Sequence, residues 1–169
     1  MYPILTRTPD LLCAVLAAGL LFTAACSRTH TITTADGKVS YQEKDKGAGT
    51  VTVTGKDGKT ATLSFNGGGK VPADYPKDVP VYSGTKVLMS QSASEKNAHS
   101  LMLESADAAD KIVAFYKKGL EDNGWKTENT VNAGQLTMVT ATKDQREINL
   151  QITDTGDKRS IMQVVADKR

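Results

Sequence analysis

The side chains most able to perform chemistry are few in this chain of 169 residues, and their spacing matches no familiar catalytic or metal-binding set. The two histidines, His30 and His99, have no cysteine or second histidine at the spacing of a metal site, so His99 is expected to be a surface residue. The pair Asp154 and Asp157 lacks the length and the closing glutamate of a calcium-binding loop. No serine lies in a G-x-S-x-G sequence. We therefore predict a protein that is not an enzyme and has no catalytic residues, no metal site and no cofactor.

Cys26 is the one residue whose surroundings indicate a specific chemistry, the covalent modification of its thiol. It follows an apolar run over residues 11–25 that ends in small residues, and a short polar segment carrying Arg7 precedes that run. A secretory signal peptide has the same order of parts: a positive start, about 7–15 apolar residues and a cleavage site of small residues. Residues 1–25 are therefore predicted to be a signal peptide.

The sequence Thr23-Ala24-Ala25-Cys26 resembles the lipobox of bacterial lipoproteins. The resemblance implies cleavage before Cys26 and lipidation of its thiol by acyl chains such as palmitate. In Gram-negative members an Asp after the cysteine retains the protein in the inner membrane, so Ser27 implies the outer membrane. Several acyl chains on one cysteine would give the stable attachment that a single chain cannot. We expect a lipid-anchored protein of the cell envelope that faces the periplasm.

Two other interpretations of the N-terminal run differ in what they predict for Cys26. A transmembrane helix needs about 20 apolar residues to cross ~30 Å of hydrocarbon, and residues 11–25 are too few. A plain secretory signal cleaved after Ala25 would leave the cysteine free, and Thr23 stands where a lipobox usually has Leu. This second alternative stays open on the sequence alone.

Length and composition limit the mature chain to one ordinary domain with a small addition. Removal of residues 1–25 leaves about 144 residues. Cys13 would leave with the signal peptide and Cys26 would be acylated, so no disulfide is expected. The net charge is +2, with lysines and acidic residues interspersed, which gives no basic surface for nucleic acid. The expected partners are the membrane, through Cys26, and a second envelope protein.

Four segments are expected after the signal peptide. They are a lipid-anchored tether (residues 26–30), a Thr- and Gly-rich β-hairpin region (31–66), a Gly/Pro linker arm (67–85) and an α+β domain (86–169). Two Asp-Gly pairs, at Asp36 and Asp57, predict tight hairpin turns in the second segment. The strands predicted there are residues 31–34, 39–42, 50–54 and 60–65. Alternatively, residues 27–49 form only a tether.

The last segment is predicted to be an antiparallel sheet with one helix packed on one face, in the order ββαββββ. Apolar residues at helical period predict the helix: Ala109, Ile112, Val113, Tyr116 and Leu120. Ser105 or Asp107 is expected to cap its first turn, and Asn123-Gly124 to end it. Gly119 within the helix would allow close approach to the sheet. The predicted strands are residues 86–92, 99–104, 126–130, 135–142, 147–153 and 160–167. Evenly spaced prolines at positions 72, 76 and 80 predict a stiff, extended arm ahead of the domain. Its apolar side chains available for burial are Tyr75, Val79, Val81 and Tyr82, whereas the carboxylates of Asp74 and Asp78 are expected to be solvent-exposed.

Two motifs resemble those of uncharacterised Gram-negative lipoproteins. Residues 74–82 have the pattern D-Y-P-x-D-V-P-x-Y, and residues 115–125 have F-Y-K-x-x-L-x-x-x-G-W. The resemblance implies a small α+β domain, and because these lipoproteins have no assigned activity it implies no chemistry.

The sequence leaves two functional interpretations. The first is a non-catalytic binding or accessory module, and the second is a structural spacer of the cell envelope with no small-molecule ligand. A binding module should expose a contiguous apolar patch. The candidate side chains for such a patch are Val87, Met89, Met102, Met138, Val139 and Met162. Alternatively, these side chains are covered by the N-terminal hairpins.

Overall fold

The computed structural model describes residues 28–44, 47–65 and 70–168, which form ten β-strands and one α-helix. The strands of the first part are β1 (Arg28–Thr34), β2 (Gly37–Lys44), β3 (Ala48–Gly55) and β4 (Thr60–Phe65). The following part contains β5 (Lys86–Ala93), a short 3₁₀ helix (Ser94–Lys96), β6 (Ala98–Ser105) and α1 (Ala109–Asp122). The last strands are β7 (Lys126–Ala133), β8 (Leu136–Lys143), β9 (Arg146–Asp154) and β10 (Arg159–Asp167).

All ten strands belong to one antiparallel sheet in the order β1-β2-β3-β4-β5-β6-β10-β9-β8-β7. The α+β class and the single helix on one face are therefore confirmed. The predicted order ββαββββ is not the whole pattern, because a 3₁₀ helix separates β5 from β6 and β1–β4 continue the same sheet. The continuation arises because β4 pairs with the edge of β5, in the register Phe65 to Met89 and Ala61 to Ala93. We call β1–β4 the wing.

The hydrophobic core lies between α1 and one face of the sheet. Ile112, Tyr116 and Leu120 are the fully buried residues of the helix, at the spacing that places them on one side. Every second residue of the central strands packs in the same core, because successive side chains of a strand point to opposite faces of the sheet. Those residues are Leu101, Leu103, Ile148, Leu150, Ile152, Ile161 and Val165.

The two ends of α1 differ in how well the sequence predicted them. The stop at Asn123-Gly124 is confirmed: Gly124 has a φ of +80°, and the Trp125 N–H donates to the Leu120 carbonyl at 2.9 Å. The predicted N-cap is wrong, because Ala108 holds that position without a side-chain hydrogen bond. The Ser105 hydroxyl instead accepts from the N–H of Asp107 at 3.1 Å, which shapes the turn before the helix.

The proline-rich arm, residues 70–85, is turned rather than extended. Carbonyls of Pro72 and Pro76 accept from the N–H groups three residues later, at 3.1 and 3.2 Å. Tyr75, Val79 and Tyr82 are all at least nine-tenths buried in the core. In an extended backbone Val79 and Tyr82, three residues apart, would point to opposite sides, so the arm cannot bury all three as one regular strand. Burial of these side chains therefore prevails over the extended preference of the residues before each proline.

Gly119 makes its close approach to this arm and not to the sheet. A Cβ added at Gly119 would lie 3.0 Å from Cβ of Pro80. The glycine thus allows the helix and the arm to touch.

Candidate binding face

The predicted lipidation site, Cys26, and the signal peptide over residues 1–25 lie outside the described residues, so both stay predictions. The strand β1 already begins at Arg28, and it therefore includes residues 28–30 of the predicted tether. Within the described ranges, no helix is both long enough and apolar enough to cross a membrane. The same residues contain no cluster of three or more His, Cys, Asp or Glu side chains suited to a metal ion.

His99 is not the surface residue that its sequence surroundings predicted. Its side chain is 12% exposed, with Nδ1 4.0 Å from a carboxylate oxygen of Asp74 and the ring edge-on to Tyr75. The three residues border a cleft of about 190 Å³ whose remaining walls are largely hydroxyl-bearing side chains of β4–β6. In the described part of the chain no hydrogen bond joins a serine hydroxyl to this histidine.

Asp78 fastens the arm to the far end of the sheet. Its carboxylate accepts two hydrogen bonds from Arg146, at 3.1 and 2.5 Å, and one from Lys143 at 2.9 Å. The Arg146 guanidinium lies 5.0 Å from the ring centre of Trp125, whose indole N–H donates to the Asp78 carbonyl at 2.9 Å. These bonds lower the pKa of Asp78 to about 2, with those from Arg146 contributing most and burial opposing them. The prediction of a solvent-exposed carboxylate was wrong here, and the group has a structural role.

Gln163 of β10 forms hydrogen bonds to the helix α1 and to the arm, and so connects both to the sheet. Its side-chain oxygen accepts from the Tyr75 hydroxyl at 2.6 Å, while its Nε2 donates to the Tyr116 hydroxyl and to the Pro80 carbonyl. Burial raises the pKa of Tyr116 to about 12 and raises that of Tyr75 further. Both phenols are thus neutral near pH 7, and their hydrogen bonds link sheet, helix and arm.

The face of the sheet opposite α1 contains a different feature, which we call the open face. Ser100, Met102 and Glu104 lie on it, because Leu101 and Leu103 between them point into the core. The register of the strands aligns one residue from each of seven neighbouring strands on this face. In spatial order, the row consists of Phe65, Met89, Met102, Met162, Gln151, Met138 and Val131.

This methionine row contains every methionine of the chain except Met1. Directly opposed residues of antiparallel strands have Cβ atoms about 4.5–5.5 Å apart, so the side chains form a continuous strip across the sheet. Met162 is 38% exposed and Val131 is 44% exposed, and the other methionines are partly exposed. The strip is thus accessible from solvent along its length.

The structure assigns a side of the sheet to each of the six apolar residues proposed for an exposed patch. Val87 and Val139 are buried in the core, whereas the four methionines lie on the open face. The N-terminal hairpins do not cover those methionines, because they extend the sheet at its β5 edge and do not fold over it. The alternation along β6 could have shown that Met102 faces away from the core, but the row itself depends on the register of seven strands.

The apolar character of the open face continues into the wing. Ile32, Val39 and Val53 are directly paired across β1–β3 on this side, and a second set of pairs joins Tyr41, Val51 and Leu63. Phe65 connects both sets to the methionine row through its pairing with Met89. Apolar side chains therefore continue along the open face from the methionine row into the wing.

Comparison with known proteins gives one family match. A family model described as START domain-like matches residues 85–160, which span β5 to the first residues of β10 and exclude the wing. No curated protein matches the chain, and no solved structure matches it.

Proposed function

We propose that this protein is a lipid-anchored lipoprotein of the cell envelope, facing the periplasm from the outer membrane, that acts as a non-catalytic binding or accessory module. Its binding surface is the methionine row, and its partner is an apolar surface of another envelope protein. The ββαββββ unit of residues 86–169 is the binding part, and Cys26 carries the acyl chains. The proposal includes membership of the Gram-negative lipoproteins that the motifs at residues 74–82 and 115–125 resemble.

The observation that carries this proposal is the alignment of four methionines on the side of the sheet that the helix leaves open. Large contiguous apolar patches on a soluble domain mark sites of interaction. Methionine suits such a site because its unbranched side chain adapts to irregular surfaces and its sulfur makes favourable contacts with aromatic rings. A partner that presents aromatic and aliphatic side chains fits this strip.

Two further observations support the proposal. The match of residues 85–160 to a START domain-like family model agrees with a ligand-binding role. The described chain begins its first strand at Arg28, two residues after the predicted lipidation site, so the ordered domain would sit directly on its anchor.

A structural spacer is the second candidate, and the wing is the observation that favours it. Four added strands lengthen the sheet by roughly 19 Å at ~4.8 Å per strand, without adding to the core. A spacer needs no stoichiometric partner at the methionine row, which separates the two candidates by experiment.

Chemical cross-linking in intact cells, followed by affinity purification and mass spectrometry, tests the proposal. The wild-type protein should yield one stoichiometric envelope partner. Met162→Glu should lose it, because a carboxylate at the centre of the row cannot be buried against an apolar partner. Lys117→Glu, a charge change on the exposed side of α1, should retain it. Equal recovery from all three would exclude the methionine row as the binding surface.

A Cys26→Ser variant tests the anchor separately. It should leave the membrane fraction, whereas the wild-type protein should stay there after a high-salt wash. Retention of the variant in the washed membranes would contradict the lipoprotein assignment.

A further inference from the structure

We propose that the apolar side of the wing lies on the lipid bilayer, so that the protein contacts the membrane through a β-sheet surface as well as through its acyl chains. The inference rests on the proposed lipid anchor at Cys26. The wing has two unlike faces and begins close to the anchor, and both features favour the lipid surface as its occupant.

The wing has large apolar side chains on its open side, and the one α-helix of the described residues does not lie over it. Ile32 is 64% exposed and Val53 is 45% exposed, although each is directly paired with other β-branched residues. Among the described residues, the hydrophobic core contains no side chain of β1–β4. Within the described parts of the chain, this surface therefore has no protein layer over it, although its composition is that of a buried sheet face.

The opposite side of the wing is a ladder of hydroxyl groups. Thr50 pairs with Ser64 at 3.1 Å between the two oxygens, Thr52 pairs with Thr62 at 3.4 Å, and the next pair outward is Thr31 with Ser40 at 3.3 Å. These side chains satisfy one another and remain open to water. The wing is thus an amphipathic sheet, which is the arrangement expected for an element at a boundary between water and an apolar medium.

The predicted anchor places this sheet at such a boundary. Cys26 lies two residues before Arg28, and two extended residues reach at most about 7 Å. The strand β1, the outermost of the sheet, must then begin within that distance of the acylated cysteine. A wing held so close to a bilayer places its apolar side within reach of the acyl-chain region.

Contact of the wing with lipid leaves the methionine row free for a protein partner. Adjacent strands of a sheet are rotated by roughly 20–25°, and five such steps separate β2 from β10. With a twist of that kind, the open face at the methionine row turns away from its direction in the wing. The two surfaces serve two different partners.

Site-specific fluorescence on the full lipidated protein tests this inference, because the mature chain has no cysteine besides Cys26. Val53→Cys places an environment-sensitive label on the apolar side of the wing, and Thr52→Cys places the same label on the hydroxyl side of the same strand. Both proteins are reconstituted in vesicles of phosphatidylethanolamine and phosphatidylglycerol, with and without a lipid that carries a quencher in its acyl chain. Mass spectrometry of the Cys26 peptide from the same preparation establishes the acylation.

We expect the label at position 53 to be quenched at least threefold more by the lipid-borne quencher than the label at position 52. Equal quenching of the two labels on acylated protein would overturn the inference without contradicting lipidation of Cys26. A label at position 53 that is shielded from aqueous iodide but not quenched by the lipid would also overturn it, since protein would then cover the wing. An unmodified Cys26 peptide would instead contradict the lipoprotein assignment.

Discussion

Met102 of β6 and Met162 of β10 lie directly opposite each other on the side of the sheet that the helix leaves open. Their neighbours in the same row, Met89 on one side and Gln151 on the other, continue the alignment across the sheet. The same strands direct Leu101, Leu103 and Ile161 toward α1. The alternation of side chains along each strand therefore produces both the core and the binding face. A surface of this kind is a property of the strand register rather than of any single residue.

Oxidation of methionine reports the exposure of the row. In the purified protein treated with dilute hydrogen peroxide, Met162 should form its sulfoxide faster than Met102 and Met138, because it is the most exposed of the three. Peptide mass spectrometry over a time course gives the rates. Oxidation of all three at the rate of free methionine would show that the strip is not ordered, whereas resistance of all three would show that it is covered.

Asp78 should contribute to stability in a manner that depends on pH. Its pKa is lowered from 3.8 to about 2, so its ionised form is favoured by folding. The contribution is complete above pH 3.8 and is lost as the pH falls toward 2. With allowance for partial exposure, we expect Asp78→Asn to cost about 1–2 kcal/mol near neutral pH and almost nothing at pH 2. Urea unfolding across this pH range measures the difference.

The control for that experiment is Asp122→Asn, which removes an exposed pair with Lys118 at the end of α1. It should change the free energy of unfolding by less than about 0.5 kcal/mol at any pH. A similar loss in both variants would mean that the arm is not fastened by Asp78.

Gln163 should be far less replaceable than Gln151, although the two lie on adjacent strands. Gln163→Met leaves the Tyr75 hydroxyl and the Pro80 carbonyl without their partner, and each unsatisfied buried group costs about 1–3 kcal/mol. We expect a loss of about 2–4 kcal/mol in denaturant unfolding. Gln151→Met, on the open face, should stay within about 0.5 kcal/mol of the wild-type protein. Similar losses of unfolding free energy in both variants would show that the hydrogen bonds of Gln163 do not stabilise the fold.

Gly119→Ala should destabilise the protein although alanine favours helices by about 1 kcal/mol. The new Cβ would lie 3.0 Å from Cβ of Pro80, whose carbonyl is held by Gln163 between the buried side chains Val79 and Tyr82. The arm has little room to retreat, so overpacking should prevail. A double-mutant cycle with Pro80→Gly checks the cause, because the alanine should become stabilising once that Cβ is gone. Stabilisation already in the wild-type background would refute the contact.

Local patterns of the sequence predicted the elements, and long-range pairing decided what the patterns could not. The stripe from Ala109 to Leu120 gave the helix because period and capping are local properties. The turns at Pro72 and Pro76 were missed because burial of Tyr75 and Val79 depends on a sheet that the arm meets only in three dimensions. The wing was expected as separate hairpins, since nothing in residues 60–65 reveals that they pair with β5. The methionine row was invisible for the same reason: its members come from strands far apart in the chain.

The most direct test of the proposed function is photo-cross-linking from defined positions in living cells. A benzophenone amino acid at position 102 or 162 should yield one discrete adduct with an envelope protein, because both positions lie at the centre of the methionine row. The same group at Lys117, on the exposed side of α1, should yield none. Identical adduct patterns from the three positions, or no adduct from 102 and 162, would contradict the assignment of this face as the binding surface.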